Sequence, residues 1–316
     1  MIRYHTKIER ELISVDNAEQ ATWISLYPPY EHGELVSFAD IHNIPLDFLT
    51  DSIDIDERSR YEREEEATLI LVNTPLLNED AKDNEAIYYT APIGVVLVDG
   101  KIITITPREN PILDKFVDNK VKNFNPNDPK LFVLQIFEQN VLRFLDCLKK
   151  LNLKRNLIEQ ELYNSSRNKE LQQLLRIEKS LVYFVNSLSA NELLKLKMKR
   201  TDLLNIRELE YHTDLFEDVI IDNGQALEMS NVHTNILSGT MEAYASIVSN
   251  NMNLFINRLT IITIVLMVPT LVASFFGMNV KLPFAADSVY AFYGIIGVSI
   301  AFVVGLIVFF RSNKQI

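Results

Sequence analysis

Two uncharged stretches near the C-terminus constrain this chain more than any other feature. Twenty-two residues separate Arg258 from Lys281 without a charge, and 23 separate Asp287 from Arg311. A helix needs about 20 apolar residues to cross the hydrocarbon of a bilayer. Two such runs back to back are hard to bury in one soluble core, so they read as a membrane hairpin. The expected segments are a first span over residues 259–279, an external loop over 280–288, a second span over 289–311 and a tail over 312–316. A short connector puts both chain ends on one side. Arg258, Arg311 and Lys314 flank the spans, while the connector holds one lysine and one aspartate, a slight bias that places both ends in the cytoplasm. The N-terminus, MIRYHTKIERELISVD, has no apolar stretch of signal-peptide length. The expectation is a multi-pass protein of the cytoplasmic membrane.

Charge separates the two parts of the chain. From residue 259 onward the charged residues are Lys281, Asp287, Arg311 and Lys314, a net +2, so residues 1–258 carry −13 of the total −11. An acidic soluble part repels phosphates and disfavours nucleic acid; it favours cations. Cys147 is the one cysteine, which excludes a disulfide within the chain and a thiolate cluster. It sits in LRFLDCLKK and is expected in a helix interface. The five histidines form neither an HExxH nor a Cys/His cluster; His212 near Asp214 and Asp218 is the one zinc candidate. No phosphate-cradling glycine loop and no nucleophile constellation is present, so an enzyme is not expected, nor an organic cofactor. Asn164-Ser165-Ser166 fits a glycosylation sequon but would face the cytoplasm.

Nine of the eleven prolines lie in residues 1–129. Short β-rich runs stand among them, at residues 21–27 (ATWISLY), 67–73 (ATLILVN), 86–90 (AIYYT), 93–98 (IGVVLV) and 101–106 (KIITIT), with Asp99-Gly100 as a hairpin turn. Helical stretches are expected near residues 34–42 and 46–52. After Pro129 no proline occurs until Pro269, and the glycines between them are Gly224 and Gly239. That texture predicts long helices over about 128–163, 168–198 and 203 onward, the last running straight into the first span. The architecture is an α+β cytoplasmic domain (residues 1–128), then a helical hairpin (129–202), a long stalk helix (203–258) and the two-helix C-terminal transmembrane hairpin.

The polar residues over 259–276 are Thr260, Thr263, Thr270 and Ser274, and no others. They share one seam: Asn253, Thr260, Met267 and Ser274 occupy one heptad position, and Ile256, Thr263, Thr270 and Gly277 the position three later. Two readings stay open. Small hydroxyl residues pack helices together and bond back to their own backbone; or the seam faces water in a pore. Uncharged hydroxyls could not strip a small dication of its water, so such a pore would pass the ion hydrated. In the second span Gly297, Ala301 and Gly305 form a small-xxx-small ridge expected to support packing, with Phe302, Phe309 and Phe310 toward lipid.

The first span ends in Gly277-Met278-Asn279. A C-terminal pair of spans with this tripeptide closing the first resembles the CorA family of divalent-cation transporters. YASIVSNNMN (residues 244–253), LTIITIVLMVPTLVASFFGMN (259–279) and ATWISLYPP (21–29) resemble family segments too, and the order of elements covers the whole chain. The resemblance implies a CorA-like, funnel-shaped homopentamer with the first spans around the pore. It assigns Asn253, Ile256, Leu259, Thr263, Met267 and Thr270 to the pore lining, most of them on the seam already drawn, and Asn279 to the mouth. Mg²⁺ dehydrates reluctantly, so five Asn279 amide oxygens would hold the water shell of a whole hydrated ion. Gly277 is expected to free the backbone to turn, and Met278 to anchor rather than ligate, because a thioether is too soft for magnesium. A membrane potential would drive a dication inward.

One departure weakens the mouth. Family members with this tripeptide often continue with an aromatic and then acidic residues; here Val280, Lys281, Leu282 and Pro283 follow. The resemblance also implies regulatory Mg²⁺ between neighbouring soluble domains. By its distance from the tripeptide Asp218 matches a family regulatory acid, and Glu217 and Asp222 lie beside it. Other acids cluster at Asp51–Glu57, Glu62–Glu66 and Glu79–Glu85, where a solvated surface is the plainer reading. The expected partners are further copies of the chain, membrane lipid and divalent cations. The leading expectation is channel-like Mg²⁺ uptake, also open to Co²⁺ or Ni²⁺; the rivals are a zinc or other transition-metal transporter of the same fold, and a membrane-anchored scaffold that conducts nothing.

Overall fold

The computed structural model describes residues 1–8, 11–164, 168–278 and 289–312. The chain divides into two units, Met1–Met241 and Glu242–Ile316. The first is built on a seven-stranded sheet ordered β2-β1-β3-β7-β6-β5-β4. Its strands are β1 (Ile2–Ile8), β2 (Glu11–Val15), β3 (Trp23–Leu26), β4 (Arg60–Glu64), β5 (Ala67–Leu77), β6 (Tyr88–Val98) and β7 (Lys101–Ile105). All neighbours are antiparallel except β3 and β7, which pair in parallel. Helices α1 (His32–His42) and α2 (Leu46–Ile53) lie in the crossover between β3 and β4. They cover one face of the sheet, where Leu35, Phe38, Phe48 and Leu49 meet Leu69, Leu71, Val96 and Ile103.

The expected runs at residues 86–90 and 93–98 form one strand, β6. Pro92 does not break it, because β7 pairs only as far as Gly94. Pro75 in β5 likewise lies beyond Leu71, where β4 ends. Each proline therefore sits where one flank has no strand to bond. Asp99 and Gly100 turn the hairpin with φ of 48° and 72°, as the two-residue turn requires. At Gly94 the backbone of β6 comes so close to α2 that an added Cβ would lie 2.0 Å from Ser52 Oγ and 2.9 Å from Ile105 Cγ2. Gly94→Ala is expected to cost about 1–3 kcal/mol, seen as a lower Tm of the detergent-solubilised chain.

The other face carries α3 (Pro111–Val117), α4 (Pro129–Asn164) and α5 (Asn168–Thr201). Asn110 caps α3, its side chain accepting from Ile112 N at 3.0 Å. Trp23 is fully buried, packed edge-on against Phe132 with ring centres 5.1 Å apart, and its Nε1 donates to Thr104 Oγ1 at 2.9 Å. Beyond the ends of β4 and β7 the backbone of β5 and β6 finds its partners on α5. Ser180 Oγ accepts from Ile87 N and Tyr88 N at 2.9 and 3.0 Å. Ser187 bonds Thr90, and Asn191 both accepts from Asn73 N and donates to Asn73 O. These polar side chains replace the missing strands.

The long third helix begins at Glu210, later than expected. Asp202 and Asn205 take positive φ of 50° and 48°, and a 3-10 turn at Ile206–Glu208 intervenes before α6 (Glu210–Phe276). From there α6 is unbroken through Pro269. Cys147 is buried, and burial pushes its thiol pKa up to about 11. The zinc candidate fails. His212 is buried, with Nε2 3.3 Å from Asp128 Oδ2, while Asp214 and Asp218 are exposed.

Candidate functional site

The second unit holds the C-terminal part of α6 and helix α7 (Val289–Ser312). Both include segments long and apolar enough to cross a membrane, and little of that surface is covered within the chain. The covered part is ordered. On α6 Ile261 is buried and Val265, Val268, Pro269 and Val272 are half-buried. At 100° per residue this face lies roughly 160° around the helix from Thr260, Thr263, Met267, Thr270 and Ser274. All five of those residues are exposed, as are Asn253, Ile256 and Leu259. The hydroxyl seam therefore points away from whatever the chain itself covers.

The hydroxyls of the three threonines are engaged. Thr260 donates to Ile256 O at 2.8 Å, Thr263 to Leu259 O at 2.8 Å and Thr270 to Leu266 O at 2.9 Å. Back-bonding, raised above as the plain alternative, is what these side chains do. It has a chemical consequence. A hydroxyl carries one proton and two lone pairs; with the proton committed to the backbone, only acceptor capacity remains facing outward. The seam can take hydrogen bonds from the water of a hydrated cation and has little to offer an anion.

The end of α6 departs from expectation in one respect. Gly277 does not use its conformational freedom: its φ is not positive, and its N–H continues the helix by donating to Ala273 O at 2.9 Å. A Cβ here would lie 3.3 Å from that same carbonyl, the one four residues back along α6. Met278 is exposed and its N–H reaches Phe275 O at 3.4 Å. Asn279, and residues 280–288, where an external loop is expected, lie outside the described residues.

On α7 the half-buried face runs through Ile295, Ser299, Val303, Leu306 and Phe310. Phe302 and Phe309 are exposed as expected, but Phe310 belongs to the covered face. The ridge of Gly297 and Gly305 is on the opposite side, with nothing within 4 Å of a Cβ built at either. Among the described residues of one chain, the close helix approach expected of this ridge is not made.

In the soluble unit the acids named as regulatory are spread along α6. Asp218 is exposed and Asp222 half-exposed. Glu217 is exposed and paired with Lys199 at 2.7 Å, which holds its pKa below the usual carboxylate value. No group of three metal-ligating side chains gathers among the described residues. The acidic stretch around Asp51 is partly neutralised by Arg60, which reaches Asp51 at 2.6 Å, Glu57 at 2.5 Å and Glu62 at 3.4 Å.

Residues 18–312 match the family described as CorA-like Mg2+ transporter protein. The chain belongs to this family. It is 24% identical over 305 residues to the cobalt/magnesium transport protein CorA of Methanocaldococcus jannaschii, covering 93% of this chain and 91% of that one. The complete structure of the CorA magnesium transporter from the same organism superposes with a TM-score of 0.81 at 22% identity, over 100% of this chain and 99% of that one. The ZntB cytoplasmic domain from Vibrio parahaemolyticus is similar over 78% of this chain and 98% of its own, with a TM-score of 0.61 at 8% identity. At these identities the structural likenesses show the fold alone. That fold, a soluble α/β unit with long helices and two candidate C-terminal spans, is that of full-length CorA. A buried lysine on α5, Lys195, was absent from the residues singled out in the sequence.

Proposed function

We propose that this chain is the subunit of a channel-like transporter that passes hydrated Mg²⁺, and with it Co²⁺ or Ni²⁺, across the cytoplasmic membrane. Five copies surround one axis, with both termini of each in the cytoplasm. The α6 seam of Asn253, Ile256, Thr260, Thr263, Met267, Thr270 and Ser274 lines the path together with Leu259 beside it, and Gly277, Met278 and Asn279 close its outer end. The observation that carries this reading is the placement of the hydroxyls: lone pairs outward, on the side of α6 opposite the one the chain covers. Neutral acceptors bind the outer waters of a dication without displacing them. Family membership and the name of the Methanocaldococcus relative support magnesium and cobalt as the cargo.

The membrane potential supplies about 2.3 kcal/mol per charge per 100 mV, so a dication gains roughly 4.6 kcal/mol on moving inward. Internal dication regulates the path in this reading. Asp218 and Asp222, one turn apart on α6, meet acids of a neighbouring copy, and Glu217 joins them once it leaves Lys199. Bound dication favours the closed arrangement, and its loss leaves carboxylates that repel.

The test is uptake by vesicles containing the purified chain, over several dications, with a potential alone and with a pH gradient alone, beside the mass of the detergent-solubilised oligomer. A five-chain particle and Mg²⁺ uptake that follows the potential are expected. Uptake that needs the pH gradient and prefers zinc would replace the mechanism, and a single-chain particle would remove the axis on which it depends.

A further inference from the structure

The inward face of α5 repeats at alternating three- and four-residue steps through Leu181, Phe184, Leu188, Asn191, Lys195 and Met198, each at most 1% exposed. Two of these are polar. Asn191 spends its amide on Ser59 and Asn73. Lys195 is in a different situation. Its Nζ makes one hydrogen bond, to Asn223 Oδ1 of α6 at 2.6 Å, and lies 5.4 Å from the centre of the Phe137 ring of α4. It forms no ion pair among the described residues. One turn further along α5, Lys199 meets Glu217 of α6 in solvent at 2.7 Å; at the level of Lys195, α6 offers an amide instead of a carboxylate.

The amide is fixed in orientation. Asn223 Nδ2 donates to Leu188 O at 3.0 Å, so its Oδ1 is the atom turned to the lysine. Among the charged groups of the described residues, Glu192, on α5 itself, is the one that acts on Lys195, favouring the charged form. The packed elements contribute Phe137 from α4 and Asn223 from α6, neither titratable. A neutral amine is well served there. An ammonium has three protons to place and an apolar enclosure to endure, so burial draws the pKa from its ordinary value down to about 7.

We infer that Lys195 is a proton-operated latch between α5 and α6: the neutral amine fits the niche between Asn223 and Phe137, and uptake of a proton loosens α6 at that level. The helix it grips runs unbroken from Glu210 to Phe276 and so carries the hydroxyl seam. That the latch governs ion flux rests on the transport reading above; the latch itself does not.

The sign is set by linkage. Between about pH 7 and the ordinary lysine value, the unfolded chain binds more protons than the folded one, so stability rises with pH across that window and is level below it. The experiment compares the full detergent-solubilised chain with Lys195→Met, which keeps the stem and removes the proton site, and with Asn223→Asp, which supplies a carboxylate. Tm and amide exchange of α6 peptides around residue 223 are read from about pH 6 to about pH 9.5. The native Tm is expected to climb relative to Lys195→Met by about 3 °C or more above neutrality, with exchange near residue 223 slowing in step. Asn223→Asp, in which the lysine stays charged, should lose the step near neutral pH. Parallel pH profiles in the native chain and either variant would overturn the latch. Flux is measured separately in vesicles: a step with pH that Lys195→Met abolishes supports the link to the seam. A flat flux profile beside intact Tm and exchange steps keeps the latch and removes that link. Absent flux with both steps intact counts against the transport reading alone.

Discussion

Vesicles containing Asn279→Ala are expected to take up Mg²⁺ at least about tenfold more slowly than vesicles containing the native chain, with oligomer mass and Tm unchanged. The proposal asks five amide oxygens to hold the water shell of one ion at the mouth. Each hydrogen bond contributes about 1 kcal/mol net, and a tenfold loss corresponds to about 1.4 kcal/mol, so losing the ring easily reaches it. The mouth has few other means of attracting a cation, since Val280, Lys281, Leu282 and Pro283 follow the tripeptide and Asp287 is the one acid of the loop. The decisive readout is flux against chloride leak. Unchanged Mg²⁺ flux would remove the ring of amides and strengthen the view of the chain as a membrane-anchored scaffold. Thr270→Val, which keeps the shape and loses the outward lone pairs, serves as a milder companion.

Trp23→Ala should lower the stability of the soluble unit by about 3–5 kcal/mol, which is about 10 °C in Tm. Trp23 is fully buried, and Phe116, Phe124 and Phe132 surround its ring with centres 6.4, 6.0 and 5.1 Å away. Truncation leaves a cavity where β3 meets α3 and α4, and strands Thr104 Oγ1 without its indole partner. Circular dichroism at the helix band follows the transition in the variant. In other variants the indole reports on this cluster directly, because Trp23 is the only tryptophan in the chain. A loss of less than about 1 kcal/mol would mean that the aromatic cluster is not what joins α3 and α4 to the sheet.

Central elements were readable from residue type and outer ones were not. β5, β6 and β7 are buried on both faces and read as continuous apolar runs bounded by turns. β4 is RYERE at one edge of the sheet; its charges suit an edge but hide a strand from any test based on apolar alternation. β2 is the other edge. β1 escaped because its inward residue is His5, which Trp23 covers at a ring distance of 4.7 Å. α3 has only seven residues, and its signal was the Asn110-Pro111 cap rather than a periodic pattern. The two long helices of the hairpin were placed to within a few residues because nothing in them breaks a helix.

The seam in α6 was legible because so few of its residues are polar. The direction of the hydroxyl protons was not, since sequence allows a threonine either role. Lys195 was legible in principle. It occupies the 3-4 stripe that Leu181, Phe184 and Leu188 begin, and a lysine on such a stripe is an anomaly. It was passed over because lysines are plentiful in that region and only the fold distinguishes a buried one from a solvated one.

Ser180, Ser187 and Asn191 fasten α5 to the frayed margin of β5 and β6 at three levels, by bonds to the strands' own peptide groups and to Thr90. Such stitching has a fixed pitch. Sliding α5 by a helical turn would take Ser180 away from both Ile87 N and Tyr88 N and break the Ser187 and Asn191 bonds with them, an amide left unpaired costing about 1–3 kcal/mol, whereas tilting α6 against it breaks none of them. If the chain changes between conducting and resting forms as proposed, α5 and the sheet would travel as a single plate, and the give would lie on the far side of that plate.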